Sequence, residues 1–391
     1  MLLIENGKVL TMQGEIYERG SVLIEAGKII EVGENIKAVK DAEVIDAKGC
    51  WVLPGLIDAH CHIGVMEEKI GFEGKDLNEA NDPVTPQMRA LDGVNPLDHS
   101  FCDARKAGIT AVMTGPGSSN VIGGQFLVMK TAGVCVDDMV VREPAAMKVS
   151  FGENPKRTFS GKNKTPATRM GIAALLREAL TAASNYRNRK NNAIGSGLEF
   201  DRDMKMEALL PVLNREVPLK AHAHRADDIM TALRIAREFN LDITLDHCTE
   251  GELVLNKIIE SGAPAIVGPI LTSKSKVETS KKSYATAGRL SRAGIKTAIC
   301  TDHPMVQIAH LAMSAALAVK EGMDTMEALK AITINAAEII GAGDRLGSIE
   351  PGKDADIAVF DGNPLQMYTT TLYTIIDGKV VYEKRKNEVL I

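Results

Sequence analysis

Paired cysteines are missing from this chain of 391 residues. Its six cysteines (Cys50, Cys61, Cys102, Cys135, Cys248 and Cys300) stand apart, with no CxxC spacing. That argues against a disulfide framework and a cysteine zinc cluster, and sets the expectation of a reducing, cytoplasmic setting. Positive charge is not in excess either: 46 Lys+Arg oppose 51 Asp+Glu, a formal net charge of -5. A broadly basic binder of nucleic acid or anionic membrane is thereby excluded, and neither is expected as a partner. The opening MLLIENGKVLTM has no basic segment leading into an apolar core, and no long uncharged apolar run follows. The expectation is a protein neither exported nor membrane-spanning. The Gly-rich stretch GPGSSNVIGGQ, 115–125, has neither GxGxxG nor P-loop spacing, which speaks against a nucleotide site; it reads as a long loop or a lid. Repeats of short period and low-complexity segments are absent too. What remains, 45% hydrophobic and 25% charged, is ordinary globular composition. The length suits two or three domains, or one large barrel with an appendage. Histidine is scarce, with eight residues, and most of the eight fall into tight groups.

Both ends read as short strands. LLIENGKVLT, SVLIEAGKIIEVG and AEVIDAKGCWVL alternate apolar with polar residues and are punctuated by Asn-Gly, Ala-Gly and Lys-Gly; GSIEPGKDADIAVFDGN and LYTIIDGKVVYEK repeat the pattern near the other end. A β-sandwich domain built from residues 1–54 and 346–391 is expected. Between them, short β-branched runs (ITAVMT, MVVREPAAMKVSF, PLKAHAH, DITLDH, PAIVGPIL, KTAICTDH) alternate with stretches of helical period such as ADDIMTALRIAREF. This predicts an α/β fold, with a closed (β/α)8 TIM-like barrel over residues 55–345. Helical sequence is over-rich at about 160–215, which reads as an insertion after the fourth strand.

The histidines sit at strand ends. PGLIDAHCH places His60 and His62 two apart, on one face, where two neutral imidazoles suit a divalent metal. PLKAHAH puts Lys220, His222 and His224 on one face; His222 reads as a ligand, and His224, nearer the mouth, as a substrate contact. DITLDH ends in His247, and KTAICTDHP ends in Asp302 and His303. A carboxylate at the end of an apolar strand needs a cation or strong donors; the competing reading of Asp302 is a cap for a helix near Val306. His303 reads as structural, and His99 and His310 as surface residues.

The set PGLIDAHCH, one histidine on each of two later strands and TDHP resembles the amidohydrolase superfamily. The segments ENPKR, TRMG, HAHR, VGP and PGKDADIAVFD resemble its imidazolonepropionase-related branch. The resemblance implies a (β/α)8 barrel with a β-sandwich, one or two divalent ions (zinc first, iron or manganese as alternatives), and metal ligands His60, His62, His222, His247 and Asp302. It also implies a strand-four lysine carboxylated to bridge two ions. Lys148 is the candidate, with Lys220 its rival. Asp302 would be the general base, with His247 beside it in the catalytic set. The expected function is hydrolysis of an amide-type C–N bond in a small cyclic amide or dipeptide-like substrate. The alternatives are a deaminase of a small heterocycle, or a catalytically silent scaffold relative. Deaminases of the superfamily carry a glutamate three residues after the strand-five histidine, where this chain has Arg225. Cations near the strand ends (Lys156, Arg157, Arg169 and Arg225) suggest a small acidic substrate. Composition leaves a homo-oligomer open.

Overall fold

The structure, a computed structural model, describes residues 1–34, 36, 41–68 and 71–384. Strands β1 (Leu2–Leu10), β2 (Ile16–Glu25), β3 (Lys28–Gly33), β4 (Glu43–Asp46) and β5 (Trp51–Pro54) open the chain. Then come β6 (Leu56–Cys61), β7 (Ile109–Thr114), β8 (Ile122–Lys130), β9 (Val140–Ser150), β10 (Leu219–Ala223), β11 (Ile243–His247), β12 (Ala265–Val267) and β13 (Thr297–Ile299). Last are β14 (Ile357–Phe360), β15 (Thr371–Ile376) and β16 (Lys379–Glu383).

One sheet joins the two ends in the order β16-β15-β14-β5-β1-β2-β3, with β4 alongside β1. The antiparallel pair β5–β14, with Val52 facing Val359, makes the joint. Ala26-Gly27 (φ 48° and 79°) and Asp377-Gly378 (φ 49° and 71°) take the double positive φ of turns whose twist matches a hairpin. Asn6-Gly7 does not turn the chain. It forms a bulge inside β1, because the residues on both sides stay paired to β2.

The second sheet runs β13-β12-β11-β10-β9-β8-β7-β6. Here the expected strand–helix alternation fails at one point: β8 lies antiparallel to both β7 and β9. The chain between Thr114 and Ile122 is too short for the crossover that a parallel neighbour requires, so β8 returns as a hairpin. The stretch 115–125 is therefore a loop only as far as Val121, and IGGQ opens β8. Helices Glu153–Ser160, Arg169–Gly195 and Met204–Leu213 separate β9 from β10. Beyond them the alternation holds, beginning with helix Ala226–Phe239. That helix has Asp227 and Asp228 in its first turn, buries Ile229, Ala232, Leu233 and Ala236, and ends on the left-handed Asn240.

First and last strands of this sheet do not pair as strands. Their seam is closed by two backbone bonds further on, from Asp302 N to His60 O (3.1 Å) and from His62 N to His303 O (2.8 Å). Behind the seam, the fully buried Asp58 accepts from Thr301 Oγ1 (2.5 Å) and Thr301 N (3.1 Å) through Oδ2. The two sheets are tied by Lys130 at the end of β8, whose Nζ lies 2.8 Å from Asp354 Oδ2, 3.1 Å from Asp356 Oδ1 and 2.5 Å from Asp377 Oδ1. Among the described residues, no helix is long and apolar enough to cross a membrane.

Candidate active site

Two groups of three donors meet at the mouth of the barrel sheet. His60, His62 and Asp302 form one, and His222, His224 and His247 the other; within each, the ligand atoms all lie within 4.8 Å of one another. The first group spans the seam, with Asp302 Oδ1 3.3 Å from His60 Nε2 and 3.2 Å from His62 Nε2. Ring centroids of His60 and His247 are 5.2 Å apart, so the groups adjoin.

Backbone partners fix the rings. His62 Nδ1 donates to Gly115 O at 2.8 Å and His247 Nδ1 to Gly268 O at 2.7 Å, which leaves each Nε2 a lone pair facing inward. His224 Nδ1 is 2.7 Å from Thr249 Oγ1. Gly268 is required where it stands: φ is 149°, and a Cβ would come within 2.2 Å of Cys300 O. His247 (φ 70°) and Asp302 (φ 54°) both hold the left-handed conformation that side chains rarely adopt. That turn at His247 explains how adjacent Asp246 and His247 both enter the site, although neighbours on a strand point to opposite faces.

Beneath the two groups, charge is dense. Lys148 and Lys220 face each other across β9 and β10. Asp246, fully buried, lies 2.9 Å (Oδ2) from His60 Nδ1, 3.7 Å (Oδ2) from Lys148 Nζ and 3.2 Å (Oδ1) from Lys220 Nζ. Lys220 also donates to Ala59 O at 3.1 Å. Burial pushes the Asp246 carboxyl up, but Lys220, His60 and Lys148 outweigh it and hold the group ionised far below the usual range. Burial brings Lys148 down to about 8, against the pull of Asp246. Burial also lowers His60, with Lys148 adding to it. His222 and His224 fall well below the ordinary value through burial and the neighbouring His247, and burial brings His247 to about 3. Asp302 is raised by burial yet held well below the usual carboxylate range by His60 and His62.

These observations fit a divalent cation. Neutral imidazole lone pairs aimed at a carboxylate oxygen repel it unless a cation stands between them. His60 Nε2 and Lys148 Nζ are buried without a hydrogen-bond partner.

A cavity of about 210 Å³ opens over the groups, lined by His62, His222, His224 and Asp302 and by residues of the 268–285 loop.

A profile of the Amidohydrolase family matches residues 197–382. A solved amidohydrolase structure from Thermotoga maritima MSB8 is 41% identical, with a TM-score of 0.96 over 98% of this chain and 100% of that one. The chain belongs to the amidohydrolase superfamily. It falls in the imidazolonepropionase-related branch: imidazolonepropionase of Thermoplasma volcanium is 25% identical over 398 residues, 95% of this chain and 93% of that protein. Amidohydrolase tasK of Hapsidospora irregularis is 30% identical over 392 residues, 93% of this chain. The chain spans 40% of the length of tasK.

In this amidohydrolase the histidines, Asp302 and Lys148 singled out in the sequence come together, and His224 stands with His222 and His247. The three arginines do not join them. Arg157 is exposed and pairs with Glu153 at 3.3 Å; Arg169 bonds Asp228 at 2.9 Å; Arg225 bonds Asp227 at 2.8 Å. None lines the cavity; Lys276, Lys282 and Asn154 do. Sequence reading missed these three, together with Asp246 and the buried Glu278. Asp246 carried a signal, a charged residue inside an apolar strand beside a histidine. The loop lysines carried none, since their segment has no period. His303 is buried, brought to about 4 by burial, and its Nδ1 accepts from Ile308 N at 3.1 Å.

Proposed function

We propose that this chain is a metal-dependent hydrolase of an amide-type C–N bond in a small cyclic amide or dipeptide-like substrate. The observation that carries the reading is the pair of buried donor groups meeting at one small cavity with Asp302 between ring nitrogens and the opening. His60, His62 and Asp302 would hold one ion, and His222 and His247 a second. Lys148, low in pKa and without a hydrogen bond, would be the bridge when carboxylated. A divalent ion so held acts as a Lewis acid on the scissile carbonyl and lowers the pKa of water to ~7. Asp302 turns Oδ1 to His60 and His62, which leaves Oδ2 to take a proton from the attacking water and return it to the departing nitrogen. His224, on the cavity wall, orients the carbonyl. The cavity's size supports a small substrate, being below the ~300–1,000 Å³ of drug-sized pockets.

The test is elemental analysis of the purified chain, followed by a panel of cyclic amides and dipeptides offered to protein loaded with zinc, iron or manganese. Ring opening or amide cleavage that disappears on chelation is expected. Ammonia release from a heterocycle with its ring intact would replace this reading with deamination. A chain that holds none of the three metals would replace it with a silent scaffold.

A further inference from the structure

The loop from Gly268 to Ala285, between β12 and helix Thr286–Arg292, folds over the barrel mouth and brings Lys276 and Lys282 into the cavity wall with His222, His224 and Asp302. Lys282 Nζ bonds Thr272 Oγ1, Thr272 O (3.1 Å) and Ser273 O (3.3 Å), all neutral oxygens. Lys276 Nζ bonds Asn154 Oδ1 at 2.6 Å and lies 3.8 Å from Glu278 Oε1. Asn154 in turn reaches Ser118 Oγ (2.7 Å) and stands 3.5 Å from His222 Nε2. Among the described residues lining this cavity, Asp302 is the one acidic group, and it faces the histidines. Two ammonium groups, one of them with no carboxylate partner, thus border a space of about 210 Å³. Both lysines are part-buried, and a cation held partly out of water gains from an anion placed beside it.

We propose that Lys276 and Lys282 hold an anionic group of the substrate, a carboxylate or a phosphate, so that this enzyme acts on a small acidic amide. The inference rests on the hydrolase reading for its substrate, but the anion site itself does not depend on turnover. It moves charge recognition from the arginines of the strand ends, which acidic neighbours already neutralise, to the loop after β12. A charged hydrogen bond of this kind corresponds to about a ten-fold change in affinity or more.

The experiment has two arms, both on the zinc-loaded full chain. In the first, glutarate and inorganic phosphate are titrated calorimetrically into wild type and into the variant carrying Lys276→Met and Lys282→Met. Binding at least ten-fold weaker in the variant, with unchanged metal content, is expected. A preference for glutarate identifies a carboxylate, and a preference for phosphate a phosphorylated substrate. Binding of neither anion, or equal binding by both proteins, overturns the proposal, since equal binding places the anion on the metal ions. Lys282→Gln alone keeps the comparison open should the double variant unfold. In the second arm, a dipeptide with a free carboxylate is compared with its carboxamide; the lysine substitutions raise KM about ten-fold for the carboxylate alone. An equal rise for both compounds assigns the lysines to loop structure and overturns the proposal. No turnover of any panel amide sinks the hydrolase reading, while the titration still decides the anion site.

Discussion

Asp302 Oδ1 stands 3.2 Å from His62 Nε2 across the seam where the first and last strands of the barrel sheet meet without pairing. An ion bound there would link two edges that otherwise meet through the two seam backbone bonds and the contact of Asp58 with Thr301.

Metal removal is therefore expected to cost stability as well as activity. An ion present at a hundred times its Kd stabilises the folded state by about 2.7 kcal/mol. Scanning calorimetry of chelated and reloaded protein should show a melting temperature that falls by several degrees and recovers. Identical melting curves for two samples shown by elemental analysis to differ in metal content would sink this view of the seam.

Lys148 Nζ, buried and 3.7 Å from Asp246, reads out the number of ions. Lys148→Met should reduce bound metal from two ions per chain to one, with the first group retained. Two ions still bound to the variant would show that no lysine bridge exists.

Asp246 balances Lys148, Lys220 and His60 at once. Asp246→Asn leaves two buried ammonium groups without an acceptor of charge, and a loss of about 3–5 kcal/mol is expected. Urea unfolding of metal-free protein measures it without interference from the ions. A change below about 0.5 kcal/mol, the range of ordinary surface substitutions, would remove Asp246 from this role.

The joint between the sheets should carry an acid-sensitive signature. Burial raises Asp354, but Lys130, Lys28 and Arg345 bring it from 3.8 to about 2. Because the folded value lies below the unfolded one, the stabilisation is full above about pH 4 and is lost as pH falls toward 2. Asp354→Asn should flatten the stability slope over that interval and lower stability near neutral pH. An unaltered slope in denaturant titrations at pH 2 to 4 would place the acid sensitivity elsewhere.

Much of this architecture was legible in the chain because it rests on local patterns. Alternation and paired positive-φ turns marked the strands of the end-joining sheet, and two-residue spacing put His60 with His62 and His222 with His224. β8 was not legible as an antiparallel strand: its direction follows from how few residues separate it from β7, and its Gly-rich start hid the period. Asp246 was overlooked because strand alternation turns it away from His247, and only the left-handed backbone at His247 undoes that rule.

The sequence by itself determined which chemistry could occur here: imidazoles, one terminal aspartate and buried lysines placed at strand ends by hydrophobic period. Tertiary structure alone decided which of the many cations reach the cavity. Arg157, Arg169 and Arg225 sit close to the site in sequence, yet acidic neighbours capture them. Lys276 and Lys282 lie in a loop without period and are brought in by its path over the barrel. Side-chain type and spacing act over one turn or one strand, and the pairings of Arg157 with Glu153 and of Arg225 with Asp227 are of that local kind; the pairing of Arg169 with Asp228 and the closure of the lysine loop join groups far apart in the chain, which meet only in the folded molecule.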